Sequence, residues 1–304
     1  MSAPAGNLRA APWTERRERG WLTLLRLMAR CSLRLGRAPG RLILYPIAAY
    51  YFLFAPRAGR ASRAYLTRVL GRAPRPSERF AHLLAFASTI HDRIYLLNGR
   101  FELFDLEVRD EAMLRERIAR CGGVLLFGAH FGSFEITRSL GRRAALPVVM
   151  AAHTANARKI NAALAAVSPE TLPVVPLGDN PLALLEVQRL LEQGMSVGIL
   201  ADRTPHERHT ETVRFLGSPA RFPTGPFRAA AALGRPVVLM AGVYLGANRY
   251  RVVFEPLADF SGVPRAAREA AVREAIERYA EQLERLCRAH PFNWFNFYDF
   301  WTGA

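Results

Sequence analysis

Residues 128–135 read GAHFGSFE and come directly after the apolar run VLLF. A histidine moves protons near neutral pH, and a carboxylate on one ring nitrogen fixes its tautomer and raises its basicity. On a regular helix five residues turn through about 500°, which would leave His130 and Glu135 about 140° apart. The two side chains meet only if His130 lies in the turn after a strand and Gly132 and Ser133 open a helix that carries Glu135 back onto the imidazole. Ser133 would then cap that helix, with free N–H groups near the ring. No serine or cysteine nucleophile stands beside the pair, so the substrate itself must accept the transferred group. Read without context, the same spacing describes a loop histidine and a surface glutamate.

A second candidate lies in SVGILADRTPHER, where Asp202 and Arg203 directly follow an apolar run. Strand ends are where an α/β sheet presents functional side chains, and a local salt bridge holding a loop fits the pair equally well. Next comes VRFLGSPARFPTGPFRAAAALGRPVV, with apolar residues between tight turns. Thr224 and Gly225, followed by Pro226 at a first helical position, offer backbone N–H groups to an oxyanion or phosphate, or simply mark a helix entry.

The elements that must position these residues follow from the hydrophobic pattern. From Cys121 onward short apolar runs alternate with helical patterns: residues 123–128, 146–152, 172–178, 196–202, 235–245 and 249–256. Such alternation predicts an α/β fold with a mostly parallel central sheet flanked by helices, the chemistry lying at C-terminal strand ends. The alternating RYRVVFEP stretch predicts an antiparallel edge. Residues 264–290 carry Glu and Arg at helical spacing and predict a solvated surface helix. Residues 1–100 read as an N-terminal helical region and 101–304 as the α/β domain.

In the N-terminal region, WLTLLRLMARCSLRLGR (21–37) places leucines on one side and arginines on another, and LILYPIAAYYFLF (42–54) follows. The second run is too short to span a bilayer, which takes about 20 apolar residues. A helix packed on the protein's own core would explain the first run alone. The two together read as a monotopic or re-entrant element on anionic lipid. The chain has 42 Lys and Arg against 26 Asp and Glu, a formal net charge of +16 over 304 residues. That surplus admits nucleic acid, an anionic membrane or an acidic partner, and no nucleic-acid reader motif accompanies it. Cys31, Cys121 and Cys287 lie far apart, which indicates neither a disulfide framework nor a zinc site. The N-terminus lacks the apolar core of a secretory signal.

GAHFGSFE, the ADR of residues 201–203, FLGSPARFPTGPFRAAAALGRPVV and the terminal HPFNWFNFYDFW together resemble the lysophospholipid acyltransferase superfamily. More narrowly they are similar to its branch of late lipid A biosynthesis acyltransferases and relatives, from about residue 40 to the end. The resemblance implies that His130 is a general base with Glu135 as its partner, and it matches the family's later aspartate to Asp202. It further implies an N-terminal membrane element at the cytoplasmic face of a bacterial inner membrane, and no cofactor or metal. The implied donor is an acyl thioester, acyl carrier protein or CoA, and the implied acceptor is a hydroxyl or amine of a lipid or glycolipid. Acyl carrier protein and the inner leaflet are both acidic, which suits the arginine surplus. Where lipid A enzymes carry an arginine after an Asn-Pro-like motif, AAHTANARKINAAL offers Asn156, Arg158 and Asn161 without a clean match, Arg158 being the candidate substrate contact, and WFNFYDFW replaces their basic C-terminal ending. Both departures leave the acceptor open. A thioesterase, with water as acceptor, and a non-catalytic membrane scaffold of the same fold are the rival readings.

Overall fold

In the computed structural model the described residues are 29–136, 148–153, 175–177, 181–203 and 209–301. Arg158, Asn156, Asn161 and residues 21–28 of the first amphipathic run lie outside them. The described residues begin with a helical stretch over 29–35. Three helices follow, α1 (Arg37–Phe54), α2 (Pro56–Leu70) and α3 (Pro76–Leu97). After them come β1 (Asp105–Arg109), α4 (Glu111–Cys121), β2 (Leu125–Gly128), β3 (Val148–His153), β4 (Val175–Leu177), α5 (Pro181–Glu192) and β5 (Ser196–Leu200). A hairpin of β6 (Thr210–Phe215) and β7 (Ser218–Pro223) leads into α6 (Gly225–Leu233), β8 (Pro236–Gly246), β9 (Arg249–Asp259) and α7 (Arg268–Ala289).

Seven strands form one sheet in the order β1-β9-β8-β2-β5-β3-β4, parallel throughout except for the β8–β9 hairpin. This is the mostly parallel α/β sheet that the alternation of apolar runs predicts. β9 is antiparallel to β8 but is not an edge, because β1 pairs with its other side. Of the five residues of β1, DLEVR, three are charged and none is fully buried, so the strand leaves no apolar signature in the sequence. The β6–β7 hairpin turns through Leu216 and Gly217, both at positive φ (49° and 80°), as a two-residue turn matched to strand twist requires. Sequence reasoning saw only the tight turns there.

α7 corrects the expectation of a solvated helix. Val272, Ile276, Tyr279, Leu283 and Leu286, spaced by three and four, are buried against the sheet, and the charges occupy the remaining face. The apolar core on this side also takes in Tyr65, Leu66 and Val69 of α2.

α1 is anchored differently. Its buried residues are Gly40, Leu44 and Ala48, one narrow stripe at a spacing of four, while Leu42, Leu53 and Phe54 are each at least 67% exposed. Gly40 permits the close approach to α3, since a Cβ there would lie 2.4 Å from the His91 Nε2. Among the described residues no helix is long and apolar enough to cross a membrane. Just before this apolar face the chain is held by an ion pair. Arg37 donates two hydrogen bonds, of 2.7 and 2.8 Å, to the fully buried Asp92 of α3, which also accepts from the Tyr250 hydroxyl of β9 at 2.8 Å. Arg37 and Arg41 both donate to the carbonyl of Ala247 in the β8–β9 turn. Removing one partner of a buried pair leaves the other charge desolvated and unmatched. Asp92→Ala should therefore lower the unfolding free energy by about 3 kcal/mol, measured by denaturant titration.

Candidate functional site

The site follows from the pairing of two central strands. β2 and β5 are parallel neighbours, residue i of one opposite residue i+72 of the other, from Leu125↔Val197 to Gly128↔Leu200. Carried two residues past both strand ends, that offset sets His130 opposite Asp202. Contact follows: His130 Nδ1 lies 2.8 Å from Asp202 Oδ1, and the His130 backbone N–H donates to Oδ2 at 3.1 Å. The Asp202 side chain is wholly buried and that of His130 is 38% exposed.

A carboxylate only accepts, so the proton between the two sits on Nδ1. In the neutral ring Nε2 therefore keeps its lone pair, and it has no hydrogen-bond partner among the described residues. Burial by itself would raise the Asp202 pKa. The charge of His130 and the hydrogen bonds from it, with Arg203 nearby, outweigh burial and hold the carboxyl well below the usual range. Asp202 thus remains ionised, and so an acceptor, throughout the neutral pH range.

The turn bearing His130 needs glycine twice. Gly132 has φ of 56°, and a Cβ there would fall 2.0 Å from the Gly242 carbonyl oxygen. A Cβ on Gly242 would come equally close to the Ser133 carbonyl. The two backbones are bridged, Ser133 N–H donating to Gly242 O at 2.7 Å.

Glu135 does not fold back onto the ring. Its carboxylate pairs with Arg93 Nη2 of α3 at 2.6 Å and takes a long 3.4 Å bond from the Ser133 hydroxyl. The acid that holds the imidazole is Asp202, because strand pairing brings it to hydrogen-bonding distance of Nδ1. Two of the N–H groups near the expected oxyanion positions, those of Ser133 and Thr224, are already used within the fold. The Ser133 N–H is taken by Gly242, and both the N–H and hydroxyl of Thr224 donate to the His209 carbonyl, at 3.0 and 3.2 Å. Gly225 opens α6, whose Phe227 packs edge-on against Phe127 of β2. Arg203 stays near the pair: its Nε is 3.8 Å from Asp202 Oδ2, it donates to the Phe295 carbonyl, and its guanidinium lies over the Tyr298 ring.

Sequence reasoning did not single out Trp294 or His82 as site residues. The Trp294 indole N–H donates to Asp202 Oδ2 at 3.0 Å. Buried His82 of α3 contacts the Trp294 carbonyl through Nε2 and the Ser62 hydroxyl through Nδ1, both at 2.9 Å. An apolar surface begins close by. Phe86, one third exposed on α3, stacks edge-on with Phe295 and Phe297 at 5.2 Å, and the Phe295 N–H donates to the His130 carbonyl.

The described site is therefore a partly exposed, carboxylate-held imidazole at the C-terminal strand ends of an α/β sheet, an arrangement able to accept a proton at Nε2. The family model of the bacterial lipid A biosynthesis acyltransferases matches residues 90–302, and the chain belongs to that family. No curated protein matches the chain.

Burial lowers the His82 pKa to about 4, so the folded protein keeps this ring neutral where the unfolded chain protonates it. Between the ordinary histidine value of 6.5 and about 4 the unfolded state binds the extra proton, so stability falls as pH falls. The loss from this group should approach about 1.4 kcal/mol per pH unit, and His82→Gln should remove that one-proton slope in unfolding titrations.

Proposed function

We propose that the protein transfers an acyl group from a thioester to a hydroxyl or amine of a lipid, with His130 as general base held by Asp202. The observation that carries this reading is the 2.8 Å contact between His130 Nδ1 and a sealed carboxylate, which leaves Nε2 free to take a proton. Nε2 removes the proton from the acceptor O–H or N–H as that atom attacks the thioester carbonyl. The tetrahedral intermediate collapses, the C–S bond breaks, and the imidazolium returns its proton to the thiolate, giving an ester or amide and a free thiol. Acyl carrier protein or CoA serves as donor.

A lipid acceptor fits the surroundings better than water. The exposed face of α1, with Leu42, Ile43, Tyr50, Leu53 and Phe54, forms one apolar surface of the helical region, and Phe86 and Ile90 of α3 present another. Phe86 continues through Phe295 to His130. This face and the net positive charge support peripheral or monotopic seating on an anionic membrane, at the cytoplasmic side of a bacterial inner membrane.

His130→Ala should abolish the acylated lipid product, seen by mass spectrometry of lipid extracts from cells expressing each variant in place of the wild type. Asp202→Asn should reduce turnover about 100-fold or more, and Glu135→Gln should have a much smaller effect. Full activity of Asp202→Asn alongside loss in Glu135→Gln would reverse the assignment of the acid. Thioester hydrolysis with no acylated lipid would make water the acceptor. Replacing Leu42, Leu53 and Phe54 by Ser should release the protein from vesicles of phosphatidylethanolamine and phosphatidylglycerol in flotation assays, with thermal stability unchanged.

A further inference from the structure

The segment Asn293–Phe295 lies across the site and is bonded at every residue. Asn293 accepts the Gly132 N–H at 2.8 Å through its carbonyl, and its amide side chain bonds both ways to the Tyr244 backbone. Trp294, with no exposed surface, bridges to Phe131 as a short antiparallel pair. Its indole N–H reaches Asp202 Oδ2, while its carbonyl meets His82 Nε2. Phe295 donates its N–H to the His130 carbonyl at 2.8 Å and accepts from Arg203.

His82 also fixes a direction in this chain of bonds. The Trp294 carbonyl can only accept, so His82 carries its proton on Nε2, and Nδ1 accepts from the Ser62 hydroxyl. A continuous run of hydrogen bonds and backbone therefore leads from Ser62 of α2 through His82, Trp294 and Asp202 to His130.

We infer that Trp294 is a positioning residue of the reaction: its indole N–H holds one oxygen of Asp202 so that the other is aimed at His130 Nδ1, and His82 fixes Trp294 from behind. Asp202 Oδ1 alone would be free to rotate away, since a carboxylate is nearly two-fold about its last bond. The indole and the His130 backbone N–H both bind Oδ2 and prevent that rotation. The inference rests on the reading of His130 as the base.

The test measures thiol release from palmitoyl-CoA in the presence of vesicles made from the source cells' membrane lipids. Trp294→Phe should lower kcat about 10-fold, leave KM within about twofold, and move the acidic limb of the kcat/KM profile to higher pH. The limb moves because Asp202, with one donor fewer, stabilises the imidazolium more strongly. A second variant carries benzothienylalanine at position 294, which keeps the two-ring shape and replaces the N–H by sulfur, so packing is retained if Trp294→Phe folds poorly. It should reproduce the loss of kcat and the pH shift. An unmoved acidic limb with normal kcat in the sulfur variant, while Asp202→Asn is impaired, would overturn the inference and leave the base assignment standing. Full turnover in both His130→Ala and Asp202→Asn would instead remove the reading beneath it.

Discussion

One buried carboxylate organises this molecule. Asp202 has no exposed surface, and a bare carboxylate at such a position would be driven to protonate. It stays ionised because His130 supplies a ring nitrogen and a backbone N–H, Trp294 supplies an indole N–H, and Arg203 stands nearby. Each donor comes from a different part of the chain. The ionised state of this group therefore requires that β2, β5 and the C-terminal segment all be in place. A site of this kind is pre-organised by the fold rather than assembled around a ligand.

The helical N-terminal region is part of the same construction. Asp92 repeats the arrangement further along α3, with Arg37 and Tyr250 as donors, and ties the start of α1 to β9. His82 on the same helix contacts the strap that holds Asp202. α3 is thus fixed both to the apolar helix α1 and to the site, which gives the exposed apolar face of α1 a fixed relation to the imidazole. Such rigidity suits the proposed transfer to a lipid, because a misplacement of about 1 Å between reacting groups can cost about 100-fold in rate.

Much of the frame was legible from local patterns. Six of the nine strands among the described residues announced themselves as apolar runs, and His130 and Asp202 stood out because each follows the end of one of those strands after a single alanine. β1 was hidden by its charges, and α7 looked solvated because its glutamates and arginines outnumber the apolar stripe they surround. Glu135 was the misleading residue. It is close to His130 in sequence, but the helix that it begins turns its carboxylate towards Arg93.

The sequence by itself determined that an α/β sheet would present a histidine and an acid at strand ends, and it carried the family motifs. Only the tertiary structure decided which acid meets the histidine. Hydrophobic periodicity is a local signal of period two or 3.6 and carries no information on which strands become neighbours. The pairing of β2 with β5 at an offset of 72 residues is a long-range choice made by packing, and Trp294 reaches Asp202 across a further 92. No spacing within either motif encodes those distances.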